Sequence, residues 1–474
     1  MWGQPPSAVQ LSEAALQCTL GAANSQNFYR ITVCNRSRIQ VSCSQAVTGL
    51  PRCDRPSQAR LLGFLCFALG AGAMYAQSRD QIAPTLSQAH HSFTIFAPRG
   101  HGNSANARIA PNNGAAFDSI QTFTGDFQAT GVGPSGIPRR RWFYTIAGGR
   151  PEQGGTTNFN APIVPVSLDL LDHDGSVRVV NGQRLHYSVQ PFIPPVLSSP
   201  VFQNADYSSS DAPTQFVDSV QRAAFYNAMQ PGWHTLLKPS VKTERTLSIP
   251  RGHYFFALNQ DGTCCAFVLV DINAFSDRLF PSSPTDSNSP VGAAEHSGDI
   301  TTRDISTFLF PNTYLYFNGN PNQCCVLGFH TYDFEPGDAS NGFREKRYVL
   351  NYSSWISPGL FVPGFEDVTA LSHEITESVN DPFVGSDGVH GITPWWLSPN
   401  GNCQDDLEVG DVIEGLPDAT VAIKISGRTY HPQNEALLPW LEFQSPSSAI
   451  GGAYSYPNMN VLTALSPQQA VNCK

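Results

Sequence analysis

Charged side chains are scarce in this sequence, and positive ones are the scarcer. Only 14% of the 474 residues are charged, whereas soluble domains average about 25%. Lys and Arg total 28 against 38 Asp and Glu, which gives a formal net charge of −10. Proteins that bind nucleic acid need a basic surface to neutralise phosphates. The composition offers no such excess, and we expect no nucleic-acid partner.

Long apolar runs are also lacking, with one exception at residues 61–76 (LLGFLCFALGAGAMYA). A helix that spans a bilayer needs about 20 apolar residues, so we expect no stable membrane span. Arg52, Arg55 and Arg60 precede the run, and small residues close it near 73 and 76. This layout is typical of a secretory signal peptide. The alternatives are a buried helix or an uncleaved anchor.

The position of this run predicts the domain organisation. A signal peptide normally begins at the first methionine, yet 60 residues precede this one. We therefore interpret residues 1–60 as a disordered extension or a mis-assigned translation start, and residues 61–76 as the signal. Residues 77–200 are predicted to be a strand-rich N-terminal region, and residues 201–474 an α+β domain. The mature protein is expected to be secreted.

Removal of the leader changes the charge and the cysteine count. The first 76 residues hold six Arg, no Lys, Glu13 and Asp54, so 22 basic and 36 acidic side chains remain and the net charge becomes −14. An even number of cysteines in an exported chain indicates disulfides. The cysteines that remain are Cys264, Cys265, Cys324, Cys325, Cys403 and Cys473.

The pairing of these cysteines is open, since six allow 15 combinations. Adjacent cysteines close only a strained ring. We therefore expect the strands GTCCAFVLVDI and NQCCVLGFHTY to be joined across, with Cys403 and Cys473 stapling the C-terminal part. Binding of a metal by the thiolates is the alternative.

Secondary-structure patterns predict an α+β fold with a mixed or antiparallel sheet. Short strand-like runs punctuated by Gly and Pro fill residues 90–200 and return after residue 245. Residues 213–229 show helical spacing, with Thr214 as N-cap. No Gly-x-Ser-x-Gly elbow and no phosphate-binding loop occurs, which argues against a serine hydrolase and a nucleotide enzyme.

The segment FEDVTALSHEITESVNDPF (365–383) carries the most specific pattern. At helical spacing, His373 and Glu377 lie one turn apart on one face. The opposite face is an apolar stripe. Asp367 is expected to cap the helix start, and Pro382 to prevent its continuation. The stripe consists of Val368, Leu371, Ile375 and Val379.

This spacing is that of the zincin motif His-Glu-x-x-His, with Glu377 in place of the second His. Residues at i and i+4 can share one metal ion. Glu374 lies about 100° round the helix and is predicted to be the general base of peptide hydrolysis. An ordinary amphipathic helix with a polar face of His and Glu is the alternative.

The third metal ligand is predicted downstream, as in gluzincin-type sites. We assign it to Glu408 and take Asp411 to orient it by hydrogen bonding. Asp381 lies two turns beyond His373, where it reaches the site only if the helix end bends inward. One His and two carboxylates make a harder and more anionic site than two His and one Glu, so we expect zinc with manganese, iron or calcium as alternatives. Other nearby candidates are His390, Asp405, Asp406 and His431.

The C-terminal third also resembles secreted bacterial and fungal proteins of unassigned function and, more distantly, the plant phosphate-induced EXORDIUM-like family. The resemblance covers about residues 320–474. Two elements depart from the family pattern: CCVLGFH stands for Cys-Gly-x-His, and LEVGD has Val for Ile. The family has no settled activity and is associated with cell-wall growth signalling. The matching positions are His373, Glu374, Glu377, Asp381, Pro382, Glu408, Gly410, Asp411, Cys325 and His330.

Three functional hypotheses follow. The leading one is a secreted, disulfide-stapled, zincin-like hydrolase that acts on a peptide or cell-wall substrate. The second is a non-catalytic extracellular binding or cell-surface signalling protein of the EXORDIUM-like type, with a structural or vestigial metal site. The third is carbohydrate binding through aromatic residues such as Trp395, Trp396 and Trp440, which are otherwise core residues.

Overall fold

The computed structural model describes residues 80–82, 86, 117–128, 141–384, 396–401, 403–404 and 407–465. The chain divides into two units, Met1–Tyr75 and Ala76–Lys474, and every described residue belongs to the second. The predicted extension 1–60, the predicted signal 61–76 and Cys473 lie outside the described residues, as does the side chain of Cys403.

Strands make up most of the regular structure. In chain order they are β1 (Phe117–Asp118), β2 (Thr122–Gln128), β3 (Arg141–Ala147), β4 (Thr156–Leu170), β5 (Val179–Val180), β6 (Gln183–Arg184), β7 (His186–Tyr187), β8 (His234–Val241), β9 (Arg245–Ile249), β10 (Tyr254–Leu258), β11 (Cys264–Asp271), β12 (Ile305–Pro311), β13 (Thr313–Tyr316), β14 (Cys324–Val326), β15 (Gly328–Glu335), β16 (Glu345–Trp355), β17 (Trp396–Leu397), β18 (Cys403–Gln404), β19 (Ile423–Ile425), β20 (Arg428–Tyr430), β21 (Glu435–Ala436) and β22 (Ser455–Tyr456).

Helices are few and short. They are α1 (Ile193–Leu197), α2 (Phe216–Ala224), α3 (Ile272–Leu279), α4 (Pro290–Ser297), α5 (Thr369–Asn380) and α6 (Leu438–Leu441). Single 3₁₀ turns occur at Pro151–Gln153, Gln190–Phe192, Ala339–Asn341 and Ile450–Gly452. Within the described part of the chain, no helix has the length and apolar character needed to cross a membrane.

The fold is mixed α/β, and its central sheet is mostly parallel. Parallel pairings join β16 to β1 and β12, and join β4 to β12, β8 and β9. Among the described pairings of this sheet, two are antiparallel: β15 pairs with β16, and β4 pairs with β7. The sheet is therefore mixed, as the sequence predicts, but the expected antiparallel alternative is wrong.

Both faces of the central sheet are covered, which is typical of parallel sheets. Alternate residues of its long strands point to opposite faces. Phe308 and Phe310 of β12 pack on one side in a core that includes Phe275 of α3. Ile305 and Leu309 pack on the other side. The second face carries α5, so the helix predicted to hold the site lies directly on the sheet.

The cysteine pairs lie in a second sheet, ordered β10, β11, β13 and β14. Each pair forms a disulfide within itself, Cys264 with Cys265 and Cys324 with Cys325. The expected bridges across the strands are therefore wrong. The strand register gives the reason. Cys324 of β14 pairs with Tyr316 of β13, which in turn pairs with Asp271 of β11. Asp271 lies at the opposite end of β11 from Cys264. Seven residues of strand span roughly 23 Å, far beyond disulfide reach.

The helix predicted at 213–229 is shorter than expected. In the structure α2 spans Phe216–Ala224, and no side chain caps its start. Instead of capping, Thr214 donates a hydrogen bond to the Asp218 carboxylate at 2.6 Å. The same carboxylate accepts the backbone N–H of Thr235 on β8 at 2.7 Å. Asp218 thus fastens the first turn of the helix to the neighbouring strand.

Candidate metal centre

Helix α5 is wholly buried, and its apolar stripe packs against the central sheet as predicted. Leu371 and Ile375 pack in the same core as Ile163 of β4 and Leu309 of β12. The helix ends at Asn380, since Asp381 leaves helical geometry and Pro382 cannot donate the next hydrogen bond. The stripe fixes the rotation of the helix, so the face with His373 turns toward β15 and the segment 407–414.

The start of α5 differs from the prediction, because Asp367 does not cap it. Its Oδ1 accepts hydrogen bonds from the backbone N–H of Val368 and of His431, the latter at 2.9 Å. Its Oδ2 lies 2.9 Å from Nδ1 of His431. Asp367 therefore ties the helix start to the loop that carries His431. These two residues and Glu366 form a ligand-type group of their own.

Strand β15 contributes a histidine to the polar face of α5. Gly328 and His330 are two residues apart and point to the same face of the sheet. Nδ1 of His330 lies 3.3 Å from Oε2 of Glu377 and 4.0 Å from Oε2 of Glu374. Its Nε2 lies 3.1 Å from the backbone carbonyl oxygen of Asp381. The strand and the helix thus share one cluster of ionisable side chains.

The segment 407–414 closes the cluster from the other side. Nε2 of His373 lies 3.1 Å from Oε2 of Glu377 and 3.4 Å from Oδ1 of Asp411. Oε2 of Glu408 lies 3.5 Å from Nδ1 of His330. The backbone N–H groups of Gly410 and Asp411 donate to Oε1 of Glu377 at 2.9 and 3.3 Å. The position of the Glu377 carboxylate is therefore set by main-chain donors.

Two glycines let the three segments approach this closely. A Cβ at Gly328 would lie 2.5 Å from Cγ of Glu374, and a Cβ at Gly410 would lie 2.5 Å from Nδ1 of His373. Distances below about 3.0 Å do not occur for real Cβ atoms. Any larger residue at either position would displace a side chain of the cluster.

Burial and mutual charge shift the pKa values within the cluster. Burial opposes ionisation of His373, but Glu377 and Glu374 outweigh it and raise its pKa well above the usual value. Burial also raises the pKa of Glu374, although His373 opposes the shift. For Glu377 the two histidines outweigh burial and lower the pKa. Carboxylates in one site therefore differ in proton affinity, which is a property of functional sites.

The structure brings together every described residue that the sequence assigns to the site. His373, Glu374 and Glu377 lie on α5, and Glu408 and Asp411 face them from the segment 407–414. Two positions differ in detail. Asp411, assigned to orient Glu408, lies beside His373, whereas Glu408 lies beside His330. Asp381 belongs to a close group with His330 and Glu408.

Two participants escape reasoning from residue spacing. His330 enters the prediction only through the resemblance, because it lies 43 residues before His373 in the sequence. The sequence pattern that could have indicated His330 is the alternation of faces along the strand GFHTYDFE, which puts Gly328 and His330 on the same face. Glu435 of β21 is fully buried, and its carboxylate oxygens have no hydrogen-bond partner in the described part of the chain. Burial raises the pKa of Glu435 well above the usual value.

The remaining candidates lie elsewhere. Trp440 is a core residue, with its indole N–H donating to the backbone carbonyl of Ala464 at 3.0 Å. It therefore presents no surface to a sugar. His431 lies at the start of α5, in the separate group with Asp367. The other predicted candidates, His390, Trp395, Asp405 and Asp406, lie outside the described residues, as does the side chain of Trp396.

Comparison of the chain with protein-family models, with curated proteins and with solved structures gives no match. The chemistry of the site must therefore be argued from its geometry. Among the described residues, His nitrogen and carboxylate oxygen atoms lie within 4.8 Å of one another in four groups, three of them in this cluster, and these are the donor atoms of zinc, manganese and iron sites. The buried His, Glu and Asp residues can hold a metal ion.

Proposed function

We propose that the chain is a secreted, zincin-like, metal-dependent hydrolase that acts on peptide bonds. The observation that carries the proposal is the buried group His373, Glu377 and Asp411, whose ligand atoms lie within 4.8 Å of one another, with Glu374 beside it. Secretion is supported by the run at residues 61–76. A divalent cation, zinc above all, is the cofactor that this donor set favours.

The need for a cation follows from the charges that the fold buries. His373 is 0%, Glu374 1% and Glu377 2% exposed. Within the described residues, the ion pairs of Glu374, Glu377 and Asp411 are formed with His373 and His330. Burial of several carboxylates is costly unless positive charge compensates it. A metal-bound imidazole is neutral, so the negative charge of at least four carboxylates beside the two histidines is left for divalent cations to neutralise.

Glu374 is the residue in position to move a proton. A cation held by His373 would supply a Lewis acid and would lower the pKa of a water molecule toward neutrality. Oε1 of Glu374 lies 4.0 Å from Nε2 of His373 and has no hydrogen-bond partner in the described part of the chain. A bound cation would favour the ionised form of this carboxyl group against the effect of burial, and Glu374 would then accept the proton of the attacking water and return it to the leaving amine.

The burial of the centre also favours a second function, that of a non-catalytic extracellular binding or signalling protein with a structural ion. Residues that hold a structural ion are enclosed, whereas a catalytic metal keeps one position open to substrate. The near-complete burial of His373, Glu374 and Glu377 fits the first description. The two functions predict different effects of substituting Glu374.

The experiment compares Glu374→Gln with Glu377→Ala in the full mature protein. For a hydrolase, Glu374→Gln abolishes cleavage of an unstructured protein substrate but keeps bound metal, and Glu377→Ala loses both. For a structural ion, no cleavage occurs in any form, and only Glu377→Ala lowers the melting temperature. His186→Ala is the matched control, since it removes an exposed His–Asp pair on β7 at 2.8 Å.

A further inference from the structure

Two imidazoles, from different elements, face the same carboxylate oxygen. Nε2 of His373 on α5 lies 3.1 Å from Oε2 of Glu377, and Nδ1 of His330 on β15 lies 3.3 Å from it. The other oxygen of Glu377 accepts the backbone N–H groups of Gly410 and Asp411. Oε2 is therefore aimed between the two rings.

Each imidazole lies within 3.5 Å of two carboxylates. Donor atoms about 2.1 Å from one ion, with about 90–110° between them, are roughly 3.0–3.4 Å apart. Around His373 the distances are 3.1 Å to Glu377 and 3.4 Å to Asp411. Around His330 they are 3.3 Å to Glu377 and 3.5 Å to Glu408. The geometry repeats on the two sides of Glu377.

The two histidines also fall into different groups of close ligand atoms. Within 4.8 Å, His373 groups with Glu377 and Asp411, whereas His330 groups with Glu374 and Glu377 or with Asp381 and Glu408. Among the described residues, no such group contains both histidines. One ion therefore takes one imidazole, and the other imidazole keeps a ligand set of its own.

Glu374 lies between the two positions. Its Oε1 lies 4.0 Å from Nε2 of His373, and its Oε2 lies 4.0 Å from Nδ1 of His330. The side chain is 1% exposed, and Oε1 has no hydrogen-bond partner in the described part of the chain. A buried carboxylate oxygen in this state points to a cation on the side of His373, and Glu374 also belongs to the close group of His330 and Glu377.

We propose that the centre binds two divalent cations that share Glu377, one held by His373, Glu377 and Asp411 and the other by His330, Glu374 and Glu377. This inference rests on the proposed metal-dependent function and adds a second ion to it. Among the described residues, four carboxylates lie within 4.0 Å of one of these two imidazoles, and their charge balances two divalent cations. They are Glu374, Glu377, Glu408 and Asp411.

The test counts ions in the full mature protein. The protein is stripped with a chelator, loaded separately with Zn²⁺ and Mn²⁺, and passed over a gel-filtration column before metal analysis. We expect two ions per chain, and an exchange-coupled electron paramagnetic resonance spectrum for the Mn²⁺ form. His330→Ala and His373→Ala should each keep one ion and show the uncoupled spectrum. The control His186→Ala should keep two.

The outcomes separate this inference from the proposed function. One ion per chain, unchanged in His330→Ala, overturns the two-ion centre and leaves a one-metal hydrolase intact. Two ions that depend on both histidines, without cleavage of any peptide, support the centre and remove the hydrolase. Circular dichroism checks the fold of each variant, and His330→Gln and His373→Gln replace any alanine variant that fails to fold. Retention of two ions in both histidine variants also overturns the proposal.

Discussion

Glu377 organises the centre at the scale of single residues. One of its oxygens accepts two main-chain N–H groups, and the other faces His373 and His330. A carboxylate fixed in this way loses little conformational entropy when it binds an ion, because the fold has already ordered it. The position is thus prepared for a cation before one binds.

The first prediction concerns Gly410, which leaves room for the His373 ring. In Gly410→Ala the new methyl group would lie 2.5–2.7 Å from three ring atoms, so the imidazole must move. We expect the free energy of unfolding to fall by about 1–3 kcal/mol, the usual cost of overpacking, and zinc affinity to fall with it. Urea unfolding and zinc titration by calorimetry measure the two effects.

The control for this substitution is Gly149→Ala. Its Cβ would meet Oγ1 of Thr157 at 3.4 Å, an ordinary contact, so stability and zinc affinity should stay near those of the unchanged protein. Equal zinc affinity in Gly410→Ala and Gly149→Ala would contradict the role given to Gly410.

Residue spacing predicts one part of this centre well and another part poorly. His373 and Glu377 were placed on one face by helical periodicity alone, and the structure puts their ligand atoms 3.1 Å apart. Asp411 lies beside His373, where Glu408 is expected, and Glu408 lies beside His330, because the path of the segment 407–414 depends on tertiary hydrogen bonds. Periodicity within one element contains no information about these contacts.

At the scale of elements, packing of α5 decides where its polar face points. The apolar stripe, including Leu371 and Ile375, packs on the central sheet and was predictable from the sequence. The contact with β15 was not, because the pairing of β15 with β16 depends on long-range register. The predicted N-caps of two helices are also wrong. Asp367 accepts the backbone N–H of His431, and Thr214 donates to the Asp218 carboxylate, so neither caps its helix.

A second prediction concerns the contact between the end of α6 and β3. Burial raises the pKa of Glu442 from 4.5 to about 7, against the opposing hydrogen bond from Tyr144 on β3. A carboxyl group whose pKa is higher in the folded than in the unfolded state stabilises the fold fully at pH values below its unfolded pKa. This contribution to stability is lost as the pH rises through the folded pKa. We therefore expect stability to fall by about 2–3 kcal/mol between pH 4.5 and 7 from this group.

Urea unfolding of the unchanged protein and of Glu442→Gln across this pH range isolates the effect. The amide does not titrate, so the difference in free energy of unfolding should grow in favour of Glu442→Gln as the pH rises, and then level off above pH 7. A difference that is constant from pH 4.5 to 8 would show that Glu442 ionises normally in the folded protein.

At the scale of the whole molecule, composition and pattern predict a mixed fold but not its topology. The alternation of short strands and few helices was visible in the sequence. The parallel pairing of β4 with strands far along the chain was not, because it depends on crossover connections that no local pattern encodes. The same long-range register overturns the expected disulfides between β11 and β14.

The cysteine pairing gives a third prediction, which mass spectrometry tests. Trypsin digestion without reduction should release residues 252–278 and 304–344 as separate peptides. Each should be lighter by two hydrogens than its reduced form, because Cys264 bonds to Cys265 and Cys324 to Cys325. A peptide in which the two segments are cross-linked would contradict the register of the second sheet.

The buried cluster of α5, β15 and the segment 407–414 has the donor atoms and the spacing of a metal centre. The most direct measurement is the metal content of the purified protein and of Glu377→Ala, determined by elemental mass spectrometry after gel filtration. We predict that the unchanged protein retains a divalent metal and that Glu377→Ala, without the carboxylate that faces both histidines, loses it. Absence of bound metal from both proteins, even after incubation with zinc, would show that the buried cluster does not bind a metal ion.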